Sequence, residues 1–301
     1  MSQITRRPGR IQRAPEGFLT PEQIREVSAG RRDFLRTALA GASLAAAGTS
    51  LARAAEGDPA ILTLPEHSKT LGRPVAERPY GKPSQYEEGL RRRESPGLTR
   101  VAGSSVSFSP LQGLFGIITP SGLHFERHHQ GWHDIDPARH RLMVNGLVKQ
   151  ARVYTMDDLM RLPAVSRIHF IECGANTGME WGNVAVPTVQ YSHGMLSCSE
   201  FTGVPLSVLL DDCGIDRKKA KFVLAEGADG SSMTRTIPLE RALDDVLVAW
   251  GQNGEMLRPE NGYPLRLVVP GIQGVSWVKW LRRIEVGDQP WATKDLSLIH
   301  I

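Results

Sequence analysis

The chain of 301 residues carries 36 Lys and Arg against 32 Asp and Glu, for a formal net charge of +4. Residues 1–54 alone hold nine arginines against four acids, so the remainder is close to neutral at about −1 and lacks the basic surplus of a nucleic-acid-binding face. Three cysteines, Cys173, Cys198 and Cys213, are too few for a disulfide framework, and their odd number leaves at least one thiol unpaired.

In chain order, Arg31-Arg32-Asp33-Phe34-Leu35 precedes an uncharged alanine-rich run from Ala38 to Ala52 that ends in Ala52-Arg53-Ala54. This is the pattern of a twin-arginine export signal over residues 1–54, and it predicts a periplasmic protein. At about 15 weakly apolar residues the run falls short of the roughly 20 that span a bilayer. Residues 55–119 read as an irregular N-terminal extension, with Asp58 to about Arg100 rich in proline, glycine and charge. Arg91-Arg92-Arg93-Glu94 reads there as a solvated charge run.

Residues 120–295 read as the domain, and from His140 onward the pattern is that of a compact mixed domain. Arg141 to Gly146 alternates and then turns, as a strand entering a hairpin does. Thr155 caps a predicted helix from Met156 to Arg161, closed by Pro163. Ile168 to Ile171 reads as the buried end of a strand. Ser207 to Cys213 predicts a helix ended by Gly214, and Phe222 to Ala225 and Leu265 to Val269 are short apolar strands. Ile237-Pro238-Leu239 leads into a helical stretch through Val246. Without a regular βαβ rhythm, this mixture predicts an α+β fold with a mixed sheet.

Phe170-Ile171-Glu172-Cys173-Gly174-Ala175-Asn176 places a cysteine between an apolar strand and a glycine turn. Gly174 permits a sharp reversal that would turn the sulfur toward a cavity, where a thiolate can meet a soft metal. The same cysteine also reads as a small buried hydrophobe, as Cys198 and Cys213 do, with Cys213 on the inner face of its helix. His124, His128, His129, His133 and His140 raise a zinc site, although they lack the helical spacing and nearby carboxylate of a metalloprotease. Tyr263-Pro264, Trp277 and Trp280 read as turn and core residues.

Four segments in order carry a resemblance: Glu126 to His129, Ile171 to Asn176, Asn261 to Gly271 and Trp277 to Leu281. Together they resemble the motifs of the sulfite oxidase family of molybdenum enzymes, over roughly residues 120–290. Within that family, His193 to Glu200, Asp288 to Trp291 and the long extension are most similar to the sulfane dehydrogenases of thiosulfate oxidation. The resemblance implies a molybdenum–molybdopterin cofactor with one pterin dithiolene, and Cys173 as the protein's ligand to the metal. It further implies that Arg127 lines an anionic substrate pocket, that His129 contacts the pterin, and that Arg266 and Lys279 hold the pterin phosphate. Asn261 stands where sulfite oxidases have histidine and would keep a hydrogen bond there. Asp229 is a further pterin contact, on a loop shorter than the sulfite oxidases have.

After Asn176 the sulfite oxidases continue with two arginines, whereas this chain has Thr177 and Gly178. A wider, less basic pocket suits sulfane sulfur carried on a protein cysteine better than free sulfite. The implied activity is therefore oxidation of protein-bound sulfane sulfur, with electrons passed to a c-type cytochrome subunit in a hetero-oligomer and a sulfur-carrier protein presenting the substrate. A periplasmic sulfite dehydrogenase and an inactive interaction module are the alternatives. Residues 296–301 depart from the family just before its active-site tyrosine and its C-terminal immunoglobulin-like domain, so the chain is expected to be truncated.

Overall fold

A computed structural model of the chain describes residues 70–71, 73–95, 105–181, 188–230 and 233–293. The twin arginine, the alanine-rich run and residues 296–301 lie outside the described residues. The chain divides into two units, one through Lys82 and one from Pro83 onward. In the first, the described residues form a 3₁₀ turn at Val75–Glu77. The second holds every element below. No helix among the described residues is long and apolar enough to cross a membrane.

The α+β expectation holds. Thirteen described strands form three sheets, beginning with β1 (Arg93–Glu94), β2 (Ser105–Phe108) and β3 (Glu126–His128) as a small antiparallel sheet. Val106 and Phe108 on β2 belong to the main core, so residues expected to be an irregular extension supply part of the domain interior. Arg92 is not a solvated charge either. It pairs with the Glu126 carboxylate, lies 3.7 Å from Glu260, and donates to the carbonyl of His124 at 3.5 Å.

The second sheet runs β5 (Arg152–Tyr154), β4 (Leu142–Gly146), β13 (Leu281–Gly287), β8 (Phe222–Gly227), β9 (Thr234–Pro238). Its β4–β13 pair is parallel and the others antiparallel, which makes the sheet mixed. The β4–β5 pair is the expected hairpin. The third sheet runs β11 (Glu255–Met256), β10 (Leu247–Gln252), β7 (Leu196–Pro205), β6 (Val165–Glu172), with β12 (Arg266–Val268) also on β10. All six residues of β10 are buried because the strand is central and covered on both faces. The longest strand, β7, alternates half-buried with buried residues over its first eight positions, the period of a one-sided strand.

Among the described residues, four short helices accompany these sheets: α1 (Met156–Met160), α2 (Val189–His193), α3 (Leu206–Asp212) and α4 (Leu239–Asp244). Thr155 caps α1 through a reciprocal capping box with Asp158. Helix α3 closes at Cys213 and Gly214, whose φ of +68° is the left-handed conformation that glycine adopts without steric cost.

Strand β6 corrects the sequence reading. It is an edge strand, and only Ile171 among Ile168 to Ile171 is buried, while Ile168 is 49% and Phe170 64% exposed. Successive side chains alternate between faces, so one apolar run supplies an inner wall and an outer surface. Cys198, paired with Phe170 in the ladder, lies in a half-buried position of β7, whereas Cys213 is fully buried as expected. Buried Ser197 on β7 meets Ser109 Oγ at 2.7 Å and accepts the Phe125 N–H at 3.1 Å. These bonds fix the chain leading into β3, where the candidate site begins.

Candidate active site

A cavity of about 360 Å³ lies between the small sheet and loops of the second and third sheets. Its lining includes all seven residues singled out from the sequence: Arg127, His129, Cys173, Asp229, Asn261, Arg266 and Lys279. They come from far-apart segments: β3 and its exit, the end of β6, the loop after β8, a 3₁₀ turn at Pro259–Asn261, the start of β12, and the entry to β13.

Cys173 follows β6, and its N–H donates to the carbonyl of Met195 at 3.0 Å. Its carbonyl accepts from Asn176 at 2.9 Å, and Asn176 Oδ1 accepts from Met195 at 3.1 Å, so the turn is pinned on both sides. Gly174 serves this turn by making room: a Cβ there would meet Gln273 Oε1 at 2.8 Å. The left-handed residue of the reversal is Thr177, at φ +61°. Burial pushes the Cys173 thiol up from its ordinary value, opposed by the Ala175 N–H and by the nearby Arg127 guanidinium. Burial in turn lowers Arg127, and the interaction with Cys173 partly offsets it.

Arg266 is 3% exposed, and its guanidinium donates to the carbonyls of Asn261 at 3.0 Å and Trp277 at 3.3 Å. It also lies 5.6 Å from the Phe201 ring centroid. Among the described residues no carboxylate lies within ion-pair distance of it, and burial alone lowers it to about 10. Its Nε has no hydrogen-bond partner, nor has Asn261 Nδ2 or His124 Nε2. Polar atoms buried without partners cost folding free energy of about 1–3 kcal/mol each, so a cavity lined by three of them is built around a polar ligand.

Lys279 is arranged differently from the expectation of a phosphate donor. Its Nζ is 3.0 Å from His128 Nδ1, 3.3 Å from the Arg127 carbonyl and 3.1 Å from the Glu260 carbonyl, which together use all three ammonium hydrogens. It offers the cavity its charge rather than a free N–H. His128 is in turn oriented by Glu126, 3.0 Å from its Nε2. Burial first, then repulsion from Arg266, brings Lys279 down to about 7. Burial, followed by the Arg127 charge, lowers His129 to about 4, so it is neutral at physiological pH.

The histidines do not converge on a metal. Among the described residues no group of three or more His, Cys, Asp or Glu could hold an ion. His140 Nε2 bonds the carbonyl of Leu281, and Trp280 Nε1 donates to the carbonyl of His133. Sequence reasoning missed His124, Glu126, His128 and Glu260 as working members of the cavity wall. Glu126 and His128 lie in the motif segment Glu126 to His129 and His124 reads in the sequence only as a zinc ligand, so the signal was present for three of them, whereas Glu260 carries none. Trp277 and Trp280 are core residues as expected.

A cavity that joins a thiol to buried cations and unpartnered polar atoms defines a protein that holds a large, anionic, hydrogen-bonding cofactor. Residues 129–294 match the family described as oxidoreductase molybdopterin binding domain, and the chain belongs to it, within the sulfite oxidase family of enzymes. Its cofactor is molybdenum–molybdopterin. The phosphate of that group suits Arg266 Nε and Asn261 Nδ2, its polar ring suits His124, and its metal suits Cys173, so the residues present fit it.

The chain is similar to the sulfane dehydrogenase SoxCD from Paracoccus pantotrophus, at 44% identity and a TM-score of 0.75 over 78% of this chain and 60% of that one. It is also 38% identical over 207 residues to an NADPH nitrate reductase of Phytophthora infestans, covering 64% of this chain. A NADH nitrate reductase of Solanum lycopersicum is 37% identical over 210 residues. The chain spans 23% of the length of each of these reductases.

Proposed function

We propose that this chain is the molybdenum-bearing part of an exported oxidoreductase that oxidises sulfane sulfur carried on a cysteine of a partner protein, with a c-type cytochrome as electron acceptor. The observation that carries this reading is the segment four and five residues after Cys173. Thr177 and Gly178 stand there, a Cβ at Gly178 would meet nothing within 4 Å, and the guanidiniums lining the cavity among the described residues are Arg127 and Arg266. A small free anion such as sulfite or nitrate binds best to converging cations. A sulfur on a protein arm needs access instead. The likeness to a sulfane dehydrogenase, at higher identity than the nitrate reductases, supports the same choice.

In this reading Cys173 is the protein ligand to molybdenum, and Arg127 draws the anionic head of the substrate toward it. Arg266 and Asn261 hold the cofactor phosphate, and Lys279 adds charge without a free donor. His129 and Asp229 line the pterin. When bound, the cofactor supplies the two-electron oxidation of sulfur, while the protein positions the sulfur, holds the cofactor and limits water.

Purified protein with known molybdenum content tests the proposal, assayed with sulfane loaded on a carrier protein, with sulfite and with nitrate. Turnover should be fastest with the carrier. Efficient oxidation of free sulfite, or reduction of nitrate, would replace the sulfane assignment, and absence of molybdenum would make the chain an inactive module. Export is checked separately. Changing Arg31 and Arg32 together to Lys should leave precursor in the cytoplasm, because the receptor reads the guanidinium pair.

A further inference from the structure

The structure assigns to His124 a role in cofactor recognition: its imidazole is a hydrogen-bond acceptor for an N–H of the pterin ring. The inference rests on the family's cofactor and is independent of the substrate proposed above. His124 is 2% exposed and lines the cavity. Its Nδ1 lies 2.8 Å from the carbonyl of Phe125, and a carbonyl can only accept, so Nδ1 carries the proton. In the neutral ring this fixes the tautomer and leaves Nε2 as a bare lone pair. That atom is buried and has no partner in the protein.

The ring cannot turn away from this arrangement, since it stacks on Phe125 at 5.1 Å between centroids and its backbone is held through Phe125 N and Ser197 Oγ. The charged groups that act on it are Arg266, Arg92 and Lys279, all cations, and together with burial they keep it neutral. Asn261 Nδ2 and Arg266 Nε line the same cavity as unpartnered donors, so this acceptor stands in the same wall as free donors. A phosphate or other bare anion offers such an atom nothing. A pterin, with N–H groups beside its carbonyl and ring nitrogens, offers a donor next to acceptors. The unpartnered Nε2 is therefore read as a specificity element for the ring rather than for the phosphate.

His124→Phe removes the acceptor and keeps a flat ring in place, and it can be tested in the full-length chain produced without cofactor. The probe is metal-free molybdopterin released from a molybdoenzyme, with binding followed by its fluorescence. Affinity should fall about tenfold, the value of one hydrogen bond. The melting temperature of the empty protein should change little, because the variant removes the unpartnered Nε2 together with the Nδ1–H bond to the Phe125 carbonyl. The affinity ratio of wild type to variant should be equal at pH 6 and pH 8. His124→Gln, whose amide oxygen can accept but never becomes cationic, should retain most of the affinity and guards against a Phe variant that fails to fold. Unchanged affinity in His124→Phe, or a loss matched by a fall in the melting temperature of the empty protein, overturns the assignment. A ratio that grows toward low pH also overturns it, since His124 would then bind as a cation to phosphate.

Discussion

Two parts of the cavity wall solve opposite problems. Around Cys173 the polar groups are half-buried and answer one another: the thiol interacts with Arg127, and the turn behind it is closed by Asn176 and Met195. Around Arg266 the groups are almost fully buried and lack answers. Its Nε, Asn261 Nδ2 and His124 Nε2 have no partners, and no carboxylate pairs with the guanidinium among the described residues. A fold stabilised for its own sake would not bury charge in this way, because desolvation is repaid only by a counter-charge or hydrogen bonds. The contrast separates a part whose polar groups are satisfied within the protein from a part whose polar atoms are left facing the cavity.

Breaking the first part should have the largest effect. Cys173→Ser replaces a soft thiolate with a weakly acidic hydroxyl of similar volume, and turnover should fall by more than about a hundredfold, beyond the loss expected of groups that only support a metal ligand. The melting temperature of the empty protein should barely move. Near-native activity with molybdenum still bound would return Cys173 to the status of a buried hydrophobe.

Breaking the second part should separate binding from stability. Arg266→Met removes the charge-assisted contact and should lower cofactor affinity by about ten- to a hundredfold. The empty protein should become no less stable, since an uncompensated buried cation is replaced by an apolar chain. Molybdenum content and a melting curve on the same sample check both halves. A destabilised empty protein would show that the bonds to Asn261 and Trp277 outweigh the burial of the charge.

A pH series sharpens the comparison. Lys279 sits at about 7 in the empty site, below its ordinary 10.5. A bound anion favours the charged form, so binding takes up a proton, and cofactor affinity should fall as pH rises through 7, by up to about tenfold per unit. The empty protein should move the other way. From about pH 7 toward 10.5 the unfolded chain holds a proton on Lys279 that the folded chain has lost, so stability rises with pH over that interval. Affinity flat from pH 6 to 8 would mean that Lys279 does not sense the cofactor.

The smallest change should come at position 178. Gly178→Arg meets nothing within 4 Å at its Cβ, so the side chain can enter without rebuilding the turn. It should shift preference toward free sulfite several-fold through one charge-assisted contact. The ratio of kcat/KM for sulfite to that for carrier-bound sulfane measures this. No shift would place position 178 outside the substrate path.

Much of this was legible in the sequence, for identifiable reasons. Thr155 before an apolar helix, Gly214 after one and the Arg141 to Gly146 alternation are local signals, and each element formed where those signals placed it. The seven candidate residues share a cavity because motif order records residue types that chemistry requires at fixed places. Side-chain roles were another matter. Ile168, Phe170 and Ile171 look alike in sequence, yet whether a strand lies at an edge or in the middle depends on partners far along the chain. Arg92 read as solvated because its acids, Glu126 and Glu260, are distant in sequence. Lys279 read as a phosphate donor because nothing local shows that His128 and two carbonyls consume its hydrogens.

By itself, then, the sequence determined the α+β class, the local stops and caps, and a set of candidate residues that line one cavity, since these depend on residue type and short-range geometry. Only the tertiary structure decided which polar atoms find partners and which are left facing the cavity. Hydrogen-bond satisfaction belongs to atoms brought together from β3, β6, β12 and the entry to β13, and no stretch of chain contains that information until the sheets have packed.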